Sequence, residues 1–509
     1  MSAPLSLVLD LPLDDIPRFK RHPLIRGLTT GRPVTRRSRT VYYDTVDLAL
    51  RQRRLSVHVD RAAPAAPVAP AADGTPPETW LSPRDDTLDI GQVMDPHVRD
   101  ALSELPPDRT LQAVFDRTVE RTTRLLKPSE DSRIRLELEV GTLRSAAGEL
   151  PIARVDLGLE SGSPQRLFDL VRELRRSLPL RLSTQTDAER GYTLLAGAGP
   201  KAFRAAPVEI DPEMTVDAAL DRVIRACLDH LIGNEPAACE ARLAEGVHQM
   251  RVAMRRLRSA LSLFRKVLPE VQDRWIRDET KWLAGVLGEA RDWDVFLAET
   301  VAPAAEAFPD QAAGFERLRQ LVEEERAEAY DRMLAALRSE RYAVLLVELR
   351  AWLEAAGWRD QQVSEHSADL FLPIGHVAGR LIETRRRKAL KRGPDLAELS
   401  PPVRHEARKD VKKLRYAFEF FHNLYSGKKV KRFSRDLMRL QEGLGRLNDV
   451  ETARRLLGRL AARPDGNHPD VVLVAGLVTG WHAGLAERRV RKLDKAWTRL
   501  HEQKPFWIG

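Results

Sequence analysis

Cysteine is nearly absent from this chain: Cys227 and Cys239 are its two thiols in 509 residues. Two thiols cannot staple a chain of this size, and no CxxC pair is present to build a thiolate zinc site. Both are expected to be reduced and partly buried. Aromatic residues are sparse too, at 6% of the sequence. No run approaches the roughly 18 apolar residues that a membrane-spanning helix needs. The opening segment, MSAPLSLVLDLPLDD, is apolar but acidic. It has neither a basic stretch nor a cleavage site, so no signal peptide is expected and the cytoplasm is the expected location.

Basic charge, in contrast, is abundant. Formal net charge is +9, with 83 Lys and Arg against 74 Asp and Glu. Such an excess favours acidic partners such as nucleic acid, anionic membrane or polyphosphate, without choosing among them. Hydrophobic residues make up 43% and charged residues 31%, which fits globular domains with real cores.

The texture of the sequence changes once along the chain. Residues 1–200 contain short runs of period two: LSLVLDL (5–11), RLSVHVD (54–60), RIRLELEV (133–140) and IARVDLGLE (152–160). That alternation, punctuated by turns, predicts an antiparallel sheet. A Pro/Ala-rich stretch at 60–78 reads as an extended loop within it. SPQRLFDLVRELRRSL (163–178) is the clearest helix of this half, with Ser163 as N-cap. Residues 201–212 read as a linker. From 213 to 505 nearly everything is amphipathic at helical spacing, with Gly and Pro between segments, which predicts a helical bundle.

This second half contains an internal repeat. HQMRVAMRRLRSALSLF begins at His248, and HEARKDVKKLRYAFEFF begins at His405, 157 positions later. LGEARDWDV at Leu287 and LGRLNDVET at Leu444 share that offset, so Asp292 pairs with Asp449. Two segments with one offset imply two tandem copies of one helical unit, about 213–370 and 371–505.

The chemistry of the repeated helix is cationic. Spacings of three and four place His248, Arg251, Arg255 and Arg258 on one stripe, with Met250, Leu257, Leu261 and Phe264 on the opposing side. His405, Arg408, Lys412 and Arg415 repeat the stripe, against Val411, Leu414 and Phe418. Ordinary solvent faces mix signs, because like charges at this spacing repel. A single-sign ladder therefore points to a polyanion that supplies the countercharge. A solvated face paired with acidic neighbours is the plainer alternative, and for either histidine a capping role stands beside ligand contact. More cations follow at 380–393, including Arg385, Arg386, Arg387, Lys388, Lys391 and Arg392, and at KKVKR (428–432) with Arg435. The stripes interleave no aromatic other than Tyr416. Base-reading proteins usually stack bases on aromatics, so a baseless phosphate polymer is favoured over DNA or RNA. Asp292 and Asp294 are too few for a metal cage and are expected to brace the basic helix by salt bridges.

The repeated motif H-x-x-R-x-x-x-[RK]-[RK]-L-R resembles that of the CHAD family, the conserved-histidine α-helical domain, over about 213–505. The resemblance implies two four-helix repeats around a basic groove that binds inorganic polyphosphate. It implies phosphate contacts from Arg251, Arg255, Arg256, Arg258, Arg408, Lys412, Lys413 and Arg415, with His248 and His405 beside them. Polyphosphate is then the expected partner, with polyphosphate granules as a site of association, and no cofactor is implied.

The first half is similar to the CYTH domain at TVYYDTVDLALRQRRLSV (40–57), SGSPQRLFDLVRELRRSLPLRLST (161–184) and AERGYTLL (188–195). That resemblance implies an antiparallel barrel, or tunnel, which in active members hydrolyses triphosphate with a divalent metal held by glutamates. The sequence departs from the pattern. The opening strand should read E-x-E-x-K but has Pro4, Ser6 and Val8. The L-R-x-R strand reads Val57, His58, Val59, Asp60. Asp85 stands near the tunnel lysine, the late strand offers Arg154, Asp156 and Gly158, and Asp187 replaces the last basic position. Metal-assisted phosphoryl transfer needs carboxylates for the metal and cations for the charge. The expectation is therefore an α+β CYTH-like domain without activity, followed by an all-α polyphosphate-binding domain. The alternatives are a triphosphatase using Mg²⁺ or Mn²⁺, and a nucleic-acid-binding module.

Overall fold

A computed structural model describes residues 5–507 apart from 54, 61–77, 82–95, 105–109, 184, 198, 363 and 392–398. The proline/alanine-rich stretch falls almost wholly among the excluded residues, as do Pro4, Asp85 and Arg392. The described residues form two compact units, Met1–Lys201 with Ala343–Ala355, and Ala202–Tyr342 with Ala356–Gly509.

The first unit is built on one eight-stranded sheet. Its strands are β1 (Ser6–Asp10), β2 (Thr29–Asp44), β3 (Ser56–Asp60), β4 (Glu78–Leu81), β5 (Gln112–Ser129), β6 (Ser132–Ser145), β7 (Gly148–Ser161) and β8 (Arg181–Leu182), in the order β4-β3-β2-β5-β6-β7-β1-β8. Pairing is antiparallel except between β3 and β4, which run parallel. Among the described residues the outer strands β4 and β8 do not pair, so the expected barrel is an open sheet.

Alternation sorts its two faces. Leu136, Leu138, Val155 and Leu157 are buried in a core with Leu167, Phe168, Val171 and Leu174 of α1 (Pro164–Arg175). Ser163 caps that helix by accepting from the Gln165 N–H, as its sequence predicts. The intervening residues Glu137, Glu139, Arg154 and Asp156 share the other face, since Glu137 lies opposite Asp156 and Glu139 opposite Arg154. α2 (Asp187–Ala196) completes this part with a capping box between Thr186 and Glu189. Val347 and Ala351, far along the sequence, belong to the same core, and Glu348 accepts two hydrogen bonds from Arg172 at 2.7 and 2.8 Å.

The second unit is helical. Its long helices are α3 (Val216–Gly233), α4 (Ala244–Leu263), α5 (Glu270–Val295) and α6 (Ala312–Arg338). After α7 (Glu340–Glu354), most of which belongs to the first unit, come α8 (Ile374–Leu390), α9 (Pro401–Phe421), α10 (Lys428–Ala461) and α11 (Pro469–Glu502). The helix starts 216, 244, 270 and 312 recur at 374, 401, 428 and 469, offsets of 158, 157, 158 and 157. The sequence repeat is thus a repeat of four helices. α4 packs on α9. Phe264 meets Phe421, its own equivalent 157 residues on, edge to face at 6.2 Å. A residue touching its counterpart marks a pseudo-twofold relation between the copies.

Candidate functional site

Helical spacing places the two basic stripes, and burial confirms the sorting. Met250, Leu257 and Leu261 are buried on α4, with Phe264 buried at its C-cap, as are Val411, Leu414 and Phe418 on α9. Arg251, Arg255, Arg408 and Lys412 are half-buried, whereas Arg258 and His405 are exposed. Arg251 lies along α5. Its Nη1 donates to the Gly288 carbonyl at 2.6 Å and to Asp292 Oδ1 at 3.1 Å. Gly288 makes this possible, because a Cβ there would stand 2.9 Å from Arg251 Nη1. The brace expected of Asp292 is therefore present in the first copy. Asp294 turns elsewhere, to Arg326 and Tyr330.

The two stripes meet. Burial drives the Lys412 ammonium down to about 6, and Arg408, Arg255 and Arg251 push in the same direction against Asp449. Arg408 is lowered by burial, with Arg255 and Arg251 reinforcing and Asp449 and Asp292 opposing. These relations are reciprocal under the repeat. Arg251 acts on Lys412, and Arg408, the equivalent of Arg251, neighbours Arg255, the equivalent of Lys412. The side chains thus face one another across the pseudo-twofold. Among the described residues no carboxylate lies within ion-pair distance of Arg255, Arg408 or Lys412, and the buried Nε atoms of both arginines lack a hydrogen-bond acceptor. His248 sits beside this cluster with its pKa lowered to about 4, first by burial and then by Arg291, Arg255 and Arg251. It is neutral at physiological pH.

A second cationic group continues the surface. Burial lowers Lys413, helped by Lys388 and Arg385 against Asp410. Partial desolvation lowers Arg258 although the residue as a whole is exposed, with Arg277 adding to the shift. Arg385 donates to the Ser262 hydroxyl at 3.0 Å and to the Ser262 carbonyl. Arg415 is tied to Gln441 at 3.2 Å and to Glu419 at 3.6 Å, and its guanidinium lies 5.4 Å from the Tyr416 ring centre.

Arg256 requires a correction. The CHAD resemblance places it among the phosphate contacts, yet its residue is 1% exposed. Its Nε lies 3.2 Å from Glu419 of the other repeat, and its guanidinium 5.6 Å from the Phe420 ring centre. It is a packing cation between the copies.

Sequence reasoning also missed cations that approach from α10. Arg455 pairs with Asp292 at 2.9 Å, and Arg459 with Glu289 at 2.6 Å and Glu325 at 2.7 Å. With Arg251, Gly288 and Leu456 they line a cleft of about 410 Å³. Their signal was available in the four-residue spacing of Arg455, Arg459 and Arg463 within ETARRLLGRLAAR (451–463).

The sheet unit carries a different kind of charge. Arg117 pairs with Glu139 and, at 2.8 Å, with Asp187, while Arg154 also reaches Asp187. Arg121 pairs with Glu139 at 2.7 Å, and Arg190 with Asp10 at 2.7 Å. Burial opposes the charge on Arg117, but Asp187 and Glu139 outweigh it and the net shift is upward. Glu139 is likewise penalised by burial, yet Arg117 and Arg121 hold it below the ordinary carboxylate range. Burial raises the Asp156 carboxyl, against a hydrogen bond from Ser6. Of these residues, Arg154, Asp156 and Asp187 are departures from the pattern of active CYTH members. Together the residues form a network that neutralises itself.

A CHAD domain model matches residues 222–458. Two uncharacterized proteins of Mycobacterium tuberculosis strains are each 29% identical over 273 residues, 51% of this chain and 50% of theirs. The chain thus matches about half the length of these relatives. An inorganic triphosphatase of Haemophilus influenzae is 33% identical over 88 residues, 17% of this chain and 25% of that enzyme. The crystal structure of the CHAD domain from the plant Ricinus communis is 31% identical and covers 60% of this chain and 98% of its own, with a TM-score of 0.49. The helical region of this chain belongs to the CHAD family, and the sheet region before it is CYTH-like.

Proposed function

We propose that the helical unit binds inorganic polyphosphate in a groove lined jointly by both repeats. The observation that carries this reading is the meeting of Arg255, Arg408 and Lys412 with no ion-paired carboxylate among the described residues. Like charges brought together and partly desolvated raise the free energy of the unliganded groove. A chain of phosphates relieves that cost at every step, with Arg providing bidentate donors and Lys a point charge. α4 carries no Phe, Tyr or Trp, and Phe264 after its last turn and Tyr416, Phe418, Phe420 and Phe421 on α9 are all buried. The stripe helices thus offer no face for stacking bases, which favours a baseless polymer over nucleic acid. Titration of the full chain with long polyphosphate, in competition with duplex DNA, tests the reading. Displacement of polyphosphate by equimolar duplex would count against it.

The sheet unit is proposed to hold its fold without triphosphate turnover. A divalent metal would need free carboxylates, but Glu139 is engaged by Arg117 and Arg121, and burial pushes Asp156 toward its protonated form. Among the described residues no three potential ligands converge on a metal position. These side chains do not fit the metal that the CYTH resemblance implies. Magnesium- or manganese-dependent phosphate release from triphosphate that copurifies with the protein would overturn this part.

A further inference from the structure

The sheet unit holds a cavity that its charge network does not use. It measures about 230 Å³ and lies on the face of Leu136 and Leu138, which alternation turns away from Glu137 and Glu139. Register brings its polar lining to the same face. Thr122 stands opposite Leu138, Arg124 opposite Leu136, and Thr35 opposite Thr122. Phe19 and Ile25, from the short helices Ile16–Lys20 and Pro23–Leu28, complete the floor with the two leucines, and all four are buried. An irregularity of β2 makes room here. Its pairing with β5 slips between Thr30 and Val34, Gly31 takes a φ of 75°, and Pro33 lines the cavity edge. Such a bulge bends its strand. Arg124 is half-buried at the cavity wall. Glu120, which lines the same cavity, is taken by Lys20 at 3.8 Å and Arg37 at 3.9 Å. Among the described residues Arg124 has neither an ion-paired carboxylate nor a hydrogen-bond acceptor. We infer that this cavity binds a small monocarboxylic acid, with its apolar body on the leucine and phenylalanine floor and its carboxylate on the Arg124 guanidinium.

The lining sets the chemical class. A guanidinium presents a planar fork that matches a carboxylate through two parallel hydrogen bonds. The Thr35 and Thr122 hydroxyls, 3.1 Å apart, line the same wall and add donor capacity. The floor calls for an organic body, because such pockets hold a ligand by apolar contact and orient it with a few polar groups. Arg124 supplies one unpaired countercharge, so a monoanion is matched, whereas a phosphate dianion would leave a charge over an apolar floor. Lys20 and Glu120, with side chains 44% and 39% exposed, place the mouth in solvent. A cavity of about 150 Å³ takes up benzene, so this one has room for roughly six to nine heavy atoms.

The inference does not rest on polyphosphate binding. Its test uses the full chain and ligand-observed NMR with three probes: hexanoate, 1-hexanol and inorganic phosphate. Hexanoate is expected to bind, 1-hexanol to bind about tenfold or more weakly, and equimolar phosphate to leave hexanoate in place. Arg124→Gln should weaken hexanoate by about tenfold or more without changing 1-hexanol, and Arg124→Lys, which keeps the charge, should fall between that variant and the parent. The comparison of probes on the parent chain needs no variant. Hexanoate that does not bind, or binds no better than 1-hexanol, or yields to phosphate, would overturn the inference. So would an Arg124→Gln chain that binds hexanoate as the parent does. Saturating long polyphosphate separates this cavity from the groove of the helical unit. Hexanoate is expected to stay bound, and its displacement would place the acid among the groove cations and refute the cavity.

Discussion

Replacing Arg256 distinguishes a cation that holds the repeats together from one that binds ligand. Its residue is 1% exposed, and Glu419, its partner at 3.2 Å, has a side chain 34% exposed. Breaking a fully buried pair by removing one member costs about 3–5 kcal/mol. Glu419 would not be stranded to that degree, because it reaches solvent and keeps Arg415 at 3.6 Å. The main loss in Arg256→Ala is packing against Phe420 and its surroundings, so about 2–3 kcal/mol is expected. Arg256→Met keeps most of the aliphatic volume and removes a buried charge, and should cost less than about 1 kcal/mol. Urea denaturation followed by helical circular dichroism would read the stability of both variants, and polyphosphate titration of the same samples would read affinity. Both variants should bind polyphosphate within about twofold of the parent. If Arg256→Met keeps its denaturation midpoint but loses tenfold or more in affinity, Arg256 is a ligand contact and its assignment to packing is wrong.

Two further outcomes follow from the charge environments. Lys412 titrates at about 6 in the folded chain against an ordinary 10.5, so the unfolded chain binds more protons between those values and folding stability rises with pH across that window. A bound polyanion favours the ammonium. Calorimetry in buffers of different protonation enthalpy should therefore detect uptake of up to about one proton at pH 7.5, and Lys412→Met should abolish it. Uptake unchanged in that variant would assign the proton elsewhere. In the sheet unit, Arg117→Ala would leave Glu139 to Arg121 and Asp187 to Arg154, with side chains only 12% and 11% exposed, so losing one of two cationic partners each is expected to cost about 1–3 kcal/mol. Because Glu139 is held below its ordinary value, the stability it lends is present above the unfolded carboxylate pKa and is lost as pH falls through the folded one. A melting temperature that Arg117→Ala leaves unmoved would show the network to be energetically idle.

Much of the helical architecture could be read from the sequence, because a duplication writes its period twice. The offset between His248 and His405 anticipates the spacing of all four helix starts. The stripe at Arg251, Arg255 and Arg258 follows from three-and-four spacing alone. Arg256 was misplaced because its motif position outweighed its helical phase. It lies three residues after Ala253 and four before Ala260, both fully buried, and so shares their face. The sheet network was illegible for another reason. Arg117 and Asp187 are 70 positions apart, and their pairing depends on tertiary packing that no local pattern encodes. Glu137 and Glu139 were in view within RIRLELEV, but alternation tells only that they face away from Leu136 and Leu138, not that arginines await them. Nor does any local signal assign Val347 and Ala351 to the core of the sheet unit.

The shared groove is tested most directly by the salt dependence of polyphosphate affinity in the full chain and two double variants, Arg255→Ala with Arg258→Ala, and Lys412→Ala with Arg415→Ala. Each phosphate contact releases counterions and contributes about −0.7 to the slope of log affinity against log salt, a value framed for single-stranded nucleic acid that rests on linear charge density. Each pair is expected to weaken binding and flatten the slope by about one to two units, and the quadruple variant to bind almost nothing while keeping its helical signal. If either pair can be removed with affinity and slope unchanged, one repeat binds alone and the two stripes do not form a common site.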